Sequence, residues 1–164
     1  MPAEGRAKAP DTPDNPRVGT RLKGAGQAVG IDFTGACSTT PNTLGAHSML
    51  EYVLAKHGAT AQNELAEALF QAYFTDGICP MGVETLITLL SAVKSIAVDT
   101  EDARKHLEAS EAAGFAQVRR SAAAMSQAGI HGVPAFFING QFAFSGAQPE
   151  QHFLEVFDAL STSS

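Results

Sequence analysis

The sequence predicts an α+β to α/β fold, mostly helical, in which a run of helices leads into a β-hairpin and a closing helix. Three observations carry this. Apolar residues recur at helical spacing between Thr43 and Gly129. Ala135-Phe136-Phe137-Ile138, Asn139-Gly140 and Gln141-Phe142-Ala143-Phe144 then give an apolar run, a turn dipeptide and an alternating run. That order is a strong hairpin signal, because a type I′ turn needs two residues tolerant of positive φ. Finally, Pro149 suits a first helical position, and Phe153, Leu154, Phe157 and Leu160 follow it on one stripe.

Taken in order, residues 1–17 hold four prolines among charged and small residues and predict an extended, mobile tail, leaving 18–164 as the folded domain. Residues 18–36 are Gly-rich, with a short helix expected over Leu22–Val29 and an extended Ile31-Asp32-Phe33 after it. Thr43 is placed to cap a helix with apolar positions Ala46/His47, Leu50 and Val53/Leu54, and Gly58 stands where an αL C-cap belongs. Thr60 opens a second helix carrying Leu65, Leu69 and Ala72/Tyr73, closed by Gly77. A third is expected from Val83 to Ala97, with Leu86, Leu90, Val93 and Ile96 on one face. Asp99-Thr100 begin a short polar helix, and residues 111–128 form a longer one ending at Gly129. No self-similar repeat of solenoid length is present. A two-stranded hairpin is at best marginal alone in water, so this one is expected to join a larger sheet. The sequence offers at most one poor further strand, near residue 31.

Composition removes several classes. A chain of 164 residues with 45% hydrophobic content is enough for one compact domain with a core. A formal charge of −6, with 11 Lys and Arg in all, weighs against general affinity for nucleic acid or anionic membranes; Arg119-Arg120 reads as a solvated helix face. No apolar run approaches the roughly 18 residues that a membrane-spanning helix requires. No apolar stretch follows Arg6 and Lys8 as in a secretory signal, and Glu4, Asp11 and Asp14 fit a transit peptide poorly, so the cytosol is the default expectation. Two cysteines do not make a disulfide framework.

Pro134 stands directly before the first strand, where its missing N–H costs no ladder bond, and from position alone it reads as an ordinary trans proline. Its surroundings say more. Residues 129–150, Gly-Ile-His-Gly-Val-Pro-Ala-Phe-Phe-Ile-Asn-Gly-Gln-Phe-Ala-Phe-Ser-Gly-Ala-Gln-Pro-Glu, resemble the cis-proline loop and last hairpin of DsbA-like thioredoxin-fold proteins. The nearer resemblance is to the FrnE-like branch of dithiol oxidoreductases. Asn42-Thr43 with Ala46-His47, and the stretch from Glu67 to Gly77, match the same family in the same order, so the resemblance covers about residues 40–160. It implies a cis Val133–Pro134 bond, which proline alone adopts cheaply, at about 0.5–1 kcal/mol against about 2.5–4 for other residues.

In that family a strand, a Cys-x-x-Cys at a helix N-terminus and a second strand precede a helical insertion; the cis-proline hairpin and last helix close the fold. This sequence resembles the insertion and the closing part, a partial thioredoxin-like fold of DsbA type. Residues 1–41 hold one cysteine, Cys37, and no strong strand, so the opening unit has no counterpart in them. The resemblance implies a thiol–disulfide oxidoreductase family member whose partner is a thiol- or disulfide-containing protein or small molecule. It makes Gly132, Val133 and Pro134 a substrate-docking loop, with Val133 offering backbone N–H and C=O to an extended segment. His131 reads first as a solvent-facing turn residue and second as a contributor to that loop. Dithiol chemistry needs a thiolate and a nearby resolving thiol. Without Cys-x-x-Cys the chain is expected not to turn over as a dithiol enzyme. The alternative is a non-catalytic thioredoxin-like domain that binds a peptide or small molecule. A kappa-class glutathione transferase relationship would need the same opening unit.

The remaining reactive residues give weak patterns. Cys79-Pro80-Met81-Gly82 has a Cys-Pro opening, but Gly82 stands where a resolving thiol would be, and a part-buried thiol is the better reading. Cys37 lies in a Gly/Ser/Thr loop, where exposure and oxidation are the minor reading. A disulfide between them would need Cα atoms within about 7 Å, which spacing leaves open. His47 reads as a satisfied core histidine, and His57, His106 and His152 show no metal-ligand spacing. No Ser-His-Asp, P-loop or GxGxxG pattern stands out, so no catalytic residue, cofactor or metal is expected.

Overall fold

A computed structural model describes residues 18–161 and the backbone of Arg6–Ala7; the tail expected over residues 1–17 otherwise lies outside the described residues. The anticipated order of helices, hairpin and helix is present. Helices α1 (Thr20–Ala28), α2 (Leu44–His57), α3 (Ala59–Phe70), α4 (Val83–Leu90), α5 (Thr100–Ala112) and α6 (Ala116–Gln127) precede strands β3 (Ala135–Ile138) and β4 (Gln141–Ser145), and α7 (Glu150–Ser161) follows. Two short strands, β1 (Arg6–Ala7) and β2 (Thr39–Thr40), pair earlier in the chain. Both strand pairs among the described residues are antiparallel and neither has a third strand, so the fold is α+β. The larger sheet expected for the hairpin is not found among those residues, and Ile31–Phe33 is not a strand.

Glycines set most helix ends. After α1, Gly30 (φ 78°) closes the helix, with its N–H donating to Gln27 O and the Ile31 N–H donating to Gly26 O. This paired arrangement satisfies two carbonyls that a helix end leaves free. It recurs at Gly114 (φ 62°), where Gly114 N–H donates to Glu111 O and Phe115 N–H to Ser110 O. That second instance corrects the boundary expected near residue 111: α5 runs on to Ala112 as a 13-residue helix, and α6 starts only after the break. Between α2 and α3, Gly58 adopts φ 86° and ψ 179°. This is the extended positive-φ region open mainly to glycine, rather than the αL conformation expected there.

Other caps also differ from expectation. Thr43 makes no side-chain cap bond; instead Asn42 Oδ1 accepts from Leu44 N at 3.1 Å. Asp99 does cap α5, accepting from Glu101 N and Asp102 N. The helix expected to reach Ala97 stops at Leu90, yet Val93 is buried and Ile96 packs on the core, so the apolar pattern persists past the helical backbone. After α3 the chain continues as a π-helical segment, Gln71–Asp76, ended by Gly77 in αL.

The chain divides into two compact units at Val118/Arg119. In the first, α2 packs against α3 and α5, and α4 against α3 and α5. Met49, Val53, Leu65, Leu86, Leu90 and Leu107 fill the space between them. Each such side chain contributes about 1.5–3 kcal/mol by leaving water. The buried residues of α2 are Ala46, Ser48, Met49, Tyr52 and Val53, with Leu50 half-buried and His47 and Leu54 exposed. His47 therefore points away from the core, against expectation.

In the second unit, Asn139 (φ 52°) and Gly140 (φ 78°) form the tight turn that the Asn-Gly pair requires. The register pairs Phe136 with Phe144 and Phe137 with Phe142, so Ala143 is an extra residue that bulges β4. Phe136, Phe144 and Phe153 of α7 pack mutually, with ring centroids 4.8–5.0 Å apart. Pro149 immediately precedes α7 rather than opening it. Of the stripe expected on that helix only Phe153 is sheltered; Leu154 and Phe157 are exposed.

Candidate functional site

The loop before the hairpin is built by the end of α6. Gly129 (φ 80°) donates to Ser126 O, and Ile130 N–H donates to Met125 O, which stops the helix and redirects the chain. His131, Gly132, Val133 and Pro134 follow, all exposed. The Val133–Pro134 peptide bond is cis. Pro134 O accepts from Gly146 N at 2.8 Å, fixing the loop to the far end of β4. Val133 is 89% exposed, and its own N–H and C=O have no backbone partner among the described residues. The four residues singled out in the sequence thus form one continuous exposed turn. Phe137 and Phe142 present a second apolar surface on the hairpin, half exposed and in edge-to-face contact at 5.7 Å.

The first unit contains its own concave site. A groove of about 260 Å³ is lined by Pro41, Thr43, Ala46, His47 and Leu50 on one side and by Leu69, Phe70, Tyr73, Phe74 and Pro80 on the other. Apart from Pro41, Leu50 and Pro80, its lining comes from the two sequence stretches, Asn42–His47 and Glu67–Gly77, that also carry the family resemblance. The structure brings them face to face. A second groove of about 390 Å³, including Leu22, Ile31 and Phe33, lies on the other side of Phe70 and Phe74. Both are apolar, as small-molecule clefts usually are. Phe70 is 57% exposed, a large apolar ring left in water at the ridge between them. Irregular π-helical geometry falls at this ridge, where Phe74 packs on Phe33, Phe70 and Tyr73.

The two cysteines, whose spacing said nothing of their distance, belong to facing segments. Cys37 is buried and donates its S–H to Thr39 O at 3.2 Å. Cys79 is half-buried in the loop ahead of α4, in agreement with the part-buried reading, and both thiols are free. Burial, then the charge and hydrogen bonding of Cys37, push the Cys79 thiol up to about 11.

One constellation was invisible in the sequence. Ser48 of α2 and His106 and Ser110 of α5 form a hydrogen-bonded cluster beside Tyr52, whose ring lies 4.8 Å from that of His106. His106 Nε2 also lies 3.3 Å from Ser48 O, and a carbonyl only accepts, so Nε2 carries the proton. Ser48 is 4% exposed. A donating histidine beside a buried hydroxyl is a packing arrangement, not a nucleophile and its base. Among the described residues no group of His, Cys, Asp and Glu is placed to hold a metal ion, and no helix is long and apolar enough to cross a membrane.

With this geometry in view, the comparison with known families is decisive for the class. The profile of the DSBA-like thioredoxin domain matches residues 5–158, and the chain belongs to that family. The match starts well before the stretches that carried the resemblance, the first of which is Asn42-Thr43. Members of the family act on thiol-containing substrates. No curated protein matches the chain.

Proposed function

We propose that the chain is a FrnE-like member of this family that docks a thiol- or disulfide-bearing peptide or small molecule on Gly132-Val133-Pro134, with His131 at its rim, and does not turn over as a dithiol enzyme. In this reading the folded domain is residues 18–164. The observation that supports it most is Val133: nearly full exposure, with a backbone donor and acceptor unused by the described residues. An extended ligand meets such a residue by adding a strand-like pair of backbone hydrogen bonds. The sequence carries no Cys-x-x-Cys, so nothing beside this loop supplies an attacking and a resolving thiol from one motif.

Amide NMR tests docking. Titration with oxidised glutathione and with a cystine-containing peptide is expected to shift Gly132, Val133 and Ala135 first. Shifts confined to other regions would overturn the assignment. In an insulin-reduction assay with dithiothreitol, the chain is expected to add nothing to the rate of the reductant. Robust catalysis that survives Cys37→Ser and Cys79→Ser together would show a different mechanism.

A further inference from the structure

Two segments far apart in sequence are laced together in the first unit. Thr34 N–H donates to Phe74 O at 3.0 Å, Thr34 Oγ1 to Thr75 O at 2.7 Å, and Thr75 Oγ1 to Asp32 O at 2.9 Å. Gly77 sits so close to Ala36 that a Cβ on it would lie 3.0 Å from the Ala36 Cβ. Cys37 is the next residue on one segment and Cys79 lies two residues on along the other, so the lacing brings both thiols into one neighbourhood, and Cys37 adds to the burial that pushes the Cys79 thiol up.

We propose that Cys37 and Cys79 are a dithiol site that closes to an intrachain disulfide on meeting a small-molecule disulfide and reopens under excess thiol. This uses none of the residues of the docking loop and stands independently of it. Cys79, the accessible thiol, loses its proton to solvent and attacks one sulfur of the incoming disulfide. A mixed disulfide forms on Cys79 and the first small thiolate leaves. Cys37 then loses its proton and attacks Cys79 Sγ, forming the protein disulfide and expelling the second thiolate. Two protein thiols are oxidised, one small disulfide is reduced to two thiols, and the protons released recombine with them. The closed form ties the stretch entering α2 to the loop after the π-helical segment. Pro41 and Pro80, on opposite walls of the smaller groove, stand close in sequence to the two cysteines, so closure fixes both walls.

Trypsin makes the test direct, because Lys23, Lys56 and Lys94 bound peptides 24–56 and 57–94 with one cysteine each. The native chain is equilibrated with mixtures of oxidised and reduced glutathione, alkylated, digested without reduction and weighed. The expected product is the two peptides joined, about 2 Da lighter than their sum. Because the fold holds the thiols together, joining is expected at a ratio of oxidised to reduced glutathione at least about tenfold lower than in guanidinium chloride. Cys37→Ser is expected to stop at glutathionylated Cys79. Accumulation of that mixed disulfide in the unmutated chain, disulfide-linked dimers, or no advantage of the native state would overturn the proposal. Should Cys37→Ser fail to fold, the comparison of native and denatured unmutated chain decides alone.

Discussion

Ser48 Oγ and His106 Nε2 meet at 3.0 Å across the seam between α2 and α5, and Ser48 Oγ donates onward to Ser110 Oγ at 3.0 Å. Together with the Tyr52 and Lys56 bonds to Asp102, it gives the α2–α5 seam its polar fastening beside the apolar core. Ser48→Ala is expected to lower unfolding free energy by about 0.5–1.5 kcal/mol, because it removes the hydroxyl's hydrogen bonds to His106 and Ser110 while the His106 N–H keeps the Ser48 carbonyl as acceptor. Urea unfolding followed by circular dichroism measures it. A change below about 0.5 kcal/mol would show that water replaces the hydroxyl.

Acid is expected to weaken the first unit in a defined window. The carboxyl of Asp102 is held below the usual range by hydrogen bonds from Lys56 and Tyr52, that of Glu64 by the backbone N–H groups of Ser95 and Lys94, and that of Glu84 by the Arg104 guanidinium. Each folded pKa lies below its unfolded one, so their contribution is complete above about pH 4.3 and fades as pH falls through the depressed values. All three are solvent-accessible, so each contribution is small. The thermal midpoint should fall as the pH drops below about 4, and Asp102→Asn should shallow that fall. An unchanged slope would remove Asp102 from the account.

Cys79 should alkylate slowly at neutral pH. With its thiol pushed up to about 11, the reactive thiolate is scarce. Iodoacetamide labelling should therefore speed up about tenfold per pH unit from 7 to 10, and Cys37→Ser should move the midpoint downward. A midpoint near the ordinary value of about 8.5 would contradict the enclosed setting.

Two glycines of α1 should respond oppositely to alanine. At Gly26 a Cβ would run into the Phe33 ring and stand 2.6 Å from Ile31 O, so Gly26→Ala should cost about 1–3 kcal/mol. At Gly24 nothing lies within 4 Å, and Gly24→Ala should stabilise by about 0.4–1 kcal/mol. Chemical denaturation of the two variants side by side distinguishes them.

The hairpin and the helix order were legible in the sequence because Asn139-Gly140 and the apolar periods act locally. The break at Gly114 was missed, since the apolar pattern runs through it and only Gly114 itself gives a signal. His47 was read as core because its spacing puts it on one face with Leu50 and Leu54, and a shift of one residue turns that face outward; Met49 and Tyr52, not Leu54, mark the buried face. The exposed turn at His131–Pro134 was reached through its motif. The groove was not legible, although its lining residues were: Thr43 and Tyr73 face one another only through the packing of α2 on α3. The same holds for Cys37 and Cys79, whose approach depends on where Thr34 and Gly77 settle.

Between Arg119 and Ser161 no described side chain is fully sheltered from solvent, whereas Met49, Leu65 and Leu90 are. Little free energy therefore opposes local opening of the C-terminal unit. Its amide protons should trade with deuterium long before those of α2 and α3. A segment that opens so easily gains order from whatever it grips, so ligand contact at the turn should register as slowed exchange across β3, β4 and α7.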